Sequence, residues 1–336
     1  MERDEIIIRK AIVHIMDSTI GMPVLSDHLL ELGPDLNDFL RGHIYKIASS
    51  DDMKSCQFNK EESFIYQCLE NFKEEELISS SQEIGRYLYT IMNQNISITP
   101  ADLFVVTYQV NSTMCLAFLK MNYKESYIHY ASSDDNGNFN DVIKQKVTLP
   151  PESSKLSEAV LINLSDYSIQ LVERKYEING VKTNYLSQIF LQCQTKLSSK
   201  TKLNIITKAV DQINQKYFEE DFDKHMETKS IIHQEYLEQG SINVESISEK
   251  LFQDQVELKE EFTEKLGKYN LQTEEFKPQN KQTTKKFEKQ FLTTDTGIEI
   301  NIPMEQYNNK NNVEFITNVD GTISVLIKNI NHITSK

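Results

Sequence analysis

The residue types best suited to metal or nucleophilic chemistry show no pattern that supports it in this 336-residue chain. The seven histidines lack the paired spacing of a metal site. His14 lies inside an apolar stretch and is either a hydrogen-bonded core residue or a ligand. Asp134 and Asp135, on a predicted turn, are either part of a solvated loop or two metal-ligating carboxylates. Nucleophile elbows, Walker-type loops and dinucleotide fingerprints do not occur in the sequence. We therefore predict no enzyme activity, no metal and no cofactor.

Cysteine chemistry is equally unsupported by spacing. The four cysteines have neither zinc-ligand spacing nor the density of a disulfide scaffold. We expect reduced thiols in a cytoplasmic protein. The positions concerned are Cys56, Cys68, Cys115 and Cys193.

Positive charge, by contrast, is concentrated in one stretch. The chain has 36 basic and 50 acidic side chains, a net charge of −14 that by itself disfavours a polyanionic partner. Residues 174–208 reverse this balance, and no carboxylate lies between Ile178 and Val210. The seven cations that could contact phosphates there are Arg174, Lys175, Lys182, Lys196, Lys200, Lys202 and Lys208. A second, smaller basic segment covers residues 277–289.

These seven cations, which we call the basic segment, have two interpretations. If they gather on one face, they form a phosphate-binding patch whose affinity falls steeply with salt. Alternatively, they pair with the acidic helices predicted at 209–265, within the chain or across a dimer. Zinc-finger, RNP-type and aromatic-interleaved basic motifs do not occur, so we expect no sequence-specific readout.

The predicted secondary structure that positions these residues differs along the chain. Ile6–Met16 is typical of a buried strand, and residues 35–49, 61–77 and 81–94 have the spacing of amphipathic helices. Strand-like segments then predict a meander of about five antiparallel strands between Leu103 and Tyr176.

The second half is predicted to be nearly all helix from Thr183 to Gly267, with an Asn179-Gly180 turn before it. Gly297–Ile302 is a predicted strand, and Asp320-Gly321 between two β-branched segments predicts a terminal hairpin. No apolar stretch approaches the roughly 20 residues that span a bilayer, and the acidic start disfavours a secretory signal.

We therefore expect an α+β protein: an antiparallel sheet meander with N-terminal helices, a helical region and a small C-terminal β-hairpin unit. The predicted division is an N-terminal α+β domain at 1–177, a helical region at 178–270, and a linker with the β unit at 271–336. Apolar edge strands and many lysines also favour a symmetric homodimer.

Several segments in this order resemble the bacterial nucleoid-associated (NdpA-like) family, in its Firmicutes form. The resemblance covers essentially the whole chain, including IIIRKAIVHIMDSTIGMPVLSDHLLEL, ADLFVVTYQVNSTMCLAFLKMNY, YSIQLVERKYEINGVKTNYLSQIFLQCQTKLSSKTK and the ending from GIEINIP to SVLIKNI. It implies a cytoplasmic protein of the nucleoid that binds DNA with little sequence preference. The family's basic strand-to-helix segment matches residues 174–202 here, and no catalytic residue is carried over.

Three functional hypotheses follow. The first is association with double-stranded DNA through the basic segment. The second is an acidic protein-interaction scaffold that reaches DNA-bound nucleoid proteins without touching DNA. The third is an enzyme acting on nucleic acid, which would require carboxylates clustered around a metal. The sequence does not separate DNA from RNA as the polyanion.

Overall fold

The computed structural model describes residues 2–134, 137–218 and 222–334. The chain forms two compact units, unit 1 (Met1–Ser198) and unit 2 (Ser199–Lys336). By their contacts, residues 178–198 are part of unit 1. The predicted division into 1–177, 178–270 and 271–336 instead assigns them to the helical region. Asp135 of the Asp134-Asp135 pair lies outside the described residues.

Unit 1 is a mixed α and β structure, and the chain as a whole has the predicted α+β class. Its strands are β1 Ile6–Met16, β2 Lys54–Phe58, β3 Ala101–Val110, β4 Thr113–Asn122, β5 Lys124–Asp134, β6 Gly137–Thr148, β7 Glu158–Asn163, β8 Ser168–Val172, β9 Tyr176–Ile178, β10 Val181–Thr183 and β11 Cys193–Thr195. Its helices are α1 Pro34–Ala48, α2 Phe64–Leu69 and α3 Leu77–Gln94, with short 3-10 segments at Arg3–Glu5 and Glu74–Glu76.

The centre of unit 1 is a seven-stranded antiparallel sheet in the order β1-β3-β4-β7-β8-β2-β11. Both of its faces are buried. Leu103 and Val105 of β3 point into the core that contains residues of α2 and α3, whereas Phe104 and Val106 point into the core that contains residues of α1. Burial on two sides explains why β3 and β4 are almost continuously apolar in sequence.

Two strands of the predicted meander leave this sheet. β5 and β6 pair with each other over residues 124–148 and with no other described strand, so they form a separate two-stranded ribbon. The prediction of one continuous meander is wrong here. Alternation of apolar and polar residues indicates that a segment is a strand, but it does not indicate which sheet the strand joins.

The prediction of helix from Thr183 onward is wrong for the first part of that range. β9 and β10 form a tight hairpin, which Asn179 and Gly180 close with φ values of 51° and 78°. A turn of π-helix, Leu186–Phe190, and strand β11 then follow. Their apolar side chains pack into the core of unit 1, and their spacing therefore imitates that of an amphipathic helix.

The expectation of four free thiols is also wrong. Cys56 of β2 and Cys193 of β11 are joined by a disulfide, with their Cα atoms 6.0 Å apart. These strands are neighbours in the sheet although 137 residues separate the two cysteines in sequence. Cys68 and Cys115 are free and partly buried.

His14 is a hydrogen-bonded core residue, the first of its two predicted roles. Its Nδ1 accepts the Ser26 backbone N–H at 3.1 Å, and its Nε2 lies 3.0 Å from the Ser81 hydroxyl oxygen. Burial, assisted by the charge of Arg86, lowers the pKa of His14 to about 4. The ring is therefore neutral at physiological pH.

Unit 2 begins with helices and ends with small β elements. Its helices are α4 Ser199–Tyr217, α5 Phe222–Gln239, α6 Val244–Phe252, α7 Val256–Gly267, α8 Lys281–Glu288 and α9 Met304–Tyr307. Its strands are β12 Ile242–Asn243, β13 Glu275–Phe276, β14 Lys289–Thr293, β15 Glu299–Pro303, β16 Val313–Thr317 and β17 Ile323–Ile327. The predicted terminal hairpin is confirmed as β16–β17, and Gly321 in its turn has a φ of 83°.

Candidate nucleic-acid interface

The basic segment is divided between the two units. Arg174, Lys175, Lys182 and Lys196 lie in unit 1 and are all exposed. Lys200, Lys202 and Lys208 lie on α4 of unit 2, where Lys208 is exposed and the other two are half-buried. The four cations of unit 1 follow β8, lie on β10 or follow β11, so short strands and turns hold them at the surface.

The carboxylate that precedes Arg174 in sequence is withdrawn from this surface. The side chain of Glu173 is fully buried and accepts a hydrogen bond from Lys54 Nζ at 2.8 Å. It also accepts the backbone N–H and the hydroxyl of Ser187, each at 3.0 Å. Glu173 is therefore neutralised inside unit 1, while Arg174 and Lys175 beside it face solvent.

Arg174 is supported from below by an aromatic ring. Its guanidinium carbon lies 5.5 Å from the centroid of the Tyr176 ring, within the range of a cation–π contact. The Tyr176 hydroxyl donates to Glu158 Oε2 at 2.7 Å. Tyr176 is almost fully buried, so the ring offers Arg174 a fixed platform.

Glu158 is the centre of a buried polar network beneath this surface. It accepts hydrogen bonds from Tyr185, Tyr176, Asn122 and Lys120 at 2.6 to 3.0 Å. Burial alone would raise the pKa of Glu158, but the charge of Lys120 and these donors outweigh it and hold the pKa below its ordinary value. Burial and the adjacent carboxylate raise the pKa of Tyr176 to about 12, so its hydroxyl remains a donor.

Two carboxylates lie close to predicted site residues. Glu177 is directly opposite Lys182 in the β9–β10 register. In unit 2, Lys202 Nζ donates to Glu274 Oε2, and the same ammonium lies 5.7 Å from the centroid of the Phe276 ring. The second interpretation of the basic segment, pairing within the chain, therefore applies to Lys202, although its partner is Glu274 and not a residue of 209–265.

Sequence reasoning did not identify the groups that hold this surface in place. Lys54 and Glu173 are 119 residues apart, and Lys120 and Glu158 are 38 apart. A lysine or glutamate inside an otherwise apolar strand, such as Lys120 in β4 or Glu158 at the start of β7, is the signal that could have indicated buried charge.

The chain shows two further features relevant to function. No helix in the described ranges has the length and apolar character needed to cross a membrane. Among the described side chains, no group of three or more His, Cys, Asp or Glu residues is placed to hold a metal ion.

The comparison with protein families agrees with the resemblance found in the sequence. None of the curated proteins compared with this chain matches it. The family model described as nucleoid-associated protein YejK matches residues 12–333, which is nearly the whole length. A match over that length, in one continuous range that includes both units, shows that this chain belongs to the family of the nucleoid-associated protein YejK.

Proposed function

We propose that this protein binds double-stranded DNA with little sequence preference through the basic segment, with the exposed Arg174, Lys175, Lys182, Lys196 and Lys208 as the main contacts and the half-buried Lys200 and Lys202 as lesser ones. Family membership supports the class of partner. The observation that carries the proposal is the burial of Glu173 against Lys54, which leaves the adjacent Arg174 and Lys175 exposed. It is supported as well by the exposure of Lys182 and Lys196.

The mechanism of binding is electrostatic. Each phosphate that a lysine or arginine neutralises releases condensed counterions, and the gain in entropy depends on salt but not on base sequence. The net charge of −14 disfavours duplex contact over most of the molecule, and the basic segment is a stretch in which this balance is reversed. We infer that the protein acts in the cytoplasm at the nucleoid, by binding rather than by catalysis.

The test is duplex binding measured across a range of salt concentrations, with the full-length protein and a mixed-sequence duplex. We expect affinity to fall steeply with salt and to be lost when all seven cations are replaced by Gln. Equal affinity of the sevenfold variant would overturn the proposal. Absence of duplex binding combined with capture of DNA-bound nucleoid proteins would instead support the acidic scaffold.

We further infer that the protein is a homodimer joined through the β5–β6 ribbon. In the strand register, Ile128 faces Ile143, and Tyr130 and Phe139 lie on the same side with ring centroids 6.5 Å apart. All four side chains are between 41% and 50% exposed. An isolated two-stranded ribbon is marginally stable in water, so this apolar face gains from a partner.

A second copy fits that face by symmetry and by charge. Lys124, Lys144 and Lys146 outnumber Glu125 towards the base of the ribbon, and Asp141 lies closer to its tip. Two ribbons related by a twofold axis and packed in opposite directions bring the basic end of one towards the acidic end of the other.

A further inference from the structure

A cavity of about 410 Å³ lies among α4, α5, α8 and β14 of unit 2. Its volume is within the range of small-molecule sites. The floor is apolar and consists of Leu203, Ile232 and Phe287, each at most 3% exposed. The ring of Tyr236 packs edge-on against Phe287, with centroids 5.4 Å apart, so the floor is fixed by its surroundings.

The rim of this cavity is cationic. Lys208 of α4, Lys229 of α5 and Lys286 of α8 line it, and none of the described lining residues is a carboxylate. Three lysines without an acid are unusual in a chain where acidic residues outnumber basic ones by 50 to 36. Of the three, Lys286 donates to Asn204 Oδ1 at 3.1 Å, and Asn204 lines the same rim.

An exposed aromatic ring completes the site. Phe291 of β14 lines the same cavity and is 58% exposed, although its neighbour Gln290 is buried. A flat apolar surface next to a group of cations is the combination with which proteins bind nucleotides of unpaired strands: bases stack on the ring and phosphates meet the ammonium groups. A fatty acid, with one charge and a long chain, would leave most of the three cations unused.

We propose that this cavity binds a nucleoside phosphate, with the phosphate at Lys208, Lys229 and Lys286 and the base on Phe291. The ligand could be a free nucleotide or a nucleotide unit of a single strand, which share this chemistry. The site goes beyond the proposed duplex contact, with which it has only Lys208 in common. The proposed nucleotide site does not depend on whether the basic segment binds duplex DNA.

The test uses the full-length protein and two probes: thymidine monophosphate followed by calorimetry, and a short fluorescein-labelled oligothymidylate followed by anisotropy. Phe291→Ala should weaken binding about five- to hundredfold, the range measured for loss of one stacked base. Lys229→Gln should weaken oligothymidylate binding and reduce the log–log salt slope by about 0.7 for one phosphate contact on a single strand.

Two matched control substitutions lie elsewhere in unit 2. Tyr269→Ala removes an aromatic ring that is 51% exposed, and Lys277→Gln removes an exposed lysine of the second basic segment; neither residue lines the cavity. Both should bind the probes as the wild type does. Circular dichroism checks that each variant is folded.

Each outcome decides the proposal. Binding of thymidine monophosphate that Phe291→Ala weakens identifies a free nucleotide as ligand, whereas binding of the oligonucleotide alone, weakened in the same way, identifies a strand. Wild-type binding of neither probe, or unchanged binding by both cavity variants, overturns the proposal. Failure of the duplex proposal has a different result. In that case the double variant Arg174→Gln with Lys175→Gln would bind duplex as the wild type does, while Phe291→Ala would still lose binding of the oligothymidylate.

Discussion

Arg174 lies over the ring of Tyr176, 5.5 Å from guanidinium carbon to ring centroid, and the hydroxyl of that ring is bonded to the buried Glu158. An exposed cation is thereby held by the polar network inside unit 1. A side chain whose position is already restricted loses less entropy when it meets a phosphate than a freely rotating one does. Arg174 is therefore the cation of unit 1 that we expect to contribute most to DNA binding.

The first prediction concerns salt. Arg174→Gln combined with Lys175→Gln should lower duplex affinity and reduce the slope of log K against log salt by about 2, since each phosphate contact on B-DNA contributes about 0.9. The measurement is fluorescence anisotropy with a labelled duplex at several salt concentrations.

Lys60→Gln combined with Lys73→Gln is the control for this experiment. It makes the same change in net charge at two exposed lysines of unit 1 outside the basic segment. If both double variants changed the slope equally, net charge and not a local contact would govern binding.

The second prediction concerns the buried ion pair. Lys120 and Glu158 are both almost inaccessible to solvent and lie 3.0 Å apart. Lys120→Met leaves a buried carboxylate without its cation and should reduce the free energy of unfolding by about 3–5 kcal/mol. Urea denaturation followed by circular dichroism measures this change, and Lys120→Met with Glu158→Leu should recover part of the loss.

The comparison for that variant is Lys144→Met, which breaks the exposed Lys144–Glu125 pair of the ribbon. Because water solvates both of these charges, we expect little change in stability. Equal destabilisation by Lys120→Met and Lys144→Met would contradict the importance assigned to the network around Glu158.

The third prediction concerns pH. His14 has a pKa lowered from 6.5 to about 4 by burial and by Arg86. The unfolded chain binds a proton at this residue near pH 6.5, whereas the folded chain does so only near pH 4. Stability should therefore decrease as pH falls between these values. Thermal unfolding at several pH values should show a smaller decrease for His14→Gln than for the wild type.

His28→Gln, which replaces an exposed histidine of the same unit, is the matched control for loss of an imidazole side chain. Parallel pH profiles for His14→Gln and the wild type would show that His14 does not carry the effect.

The fourth prediction concerns the ribbon. Replacement of residues 124–148 by a short Gly-Ser turn should convert the proposed dimer to a monomer, because the ribbon supplies the apolar face. The remaining protein should stay folded, since β5 and β6 pair only with each other among the described strands. Sedimentation or light scattering measures the mass.

A milder variant separates the interface from the ribbon itself. Ile128→Ser with Ile143→Ser keeps the strand pairing but removes apolar area from one face. We expect it to raise the dimer dissociation constant. A monomeric wild type, or a dimer that survives deletion of the ribbon, would rule out this mode of association.

The parts of the fold that were predicted correctly are those determined by neighbouring residues. Ile6–Met16, the helix that begins at Pro34 and the Asp320-Gly321 hairpin follow from apolar spacing, a helix-start signal and turn chemistry. The charge anomaly at 174–208 was visible in the same way, because it is a property of consecutive residues.

The parts that were missed depend on contacts between distant residues. The pairing of Lys54 with Glu173, the Cys56–Cys193 disulfide and the separation of the β5–β6 ribbon from the sheet leave no local pattern. The π-helical turn at Leu186–Phe190 was read as part of a longer helix, because three- and four-residue apolar spacing is shared by any compact helical turn.

The inward orientation of Glu173 has a consequence for how this chain can vary. A substitution that removes the amine of Lys54 would leave the buried carboxylate of Glu173 without its cation. It would therefore lower the stability of the fold more than it would lower the affinity for DNA. Natural variants should therefore exchange Lys54 and Glu173 together or keep both, whereas the exposed Lys175 can be replaced by Arg independently.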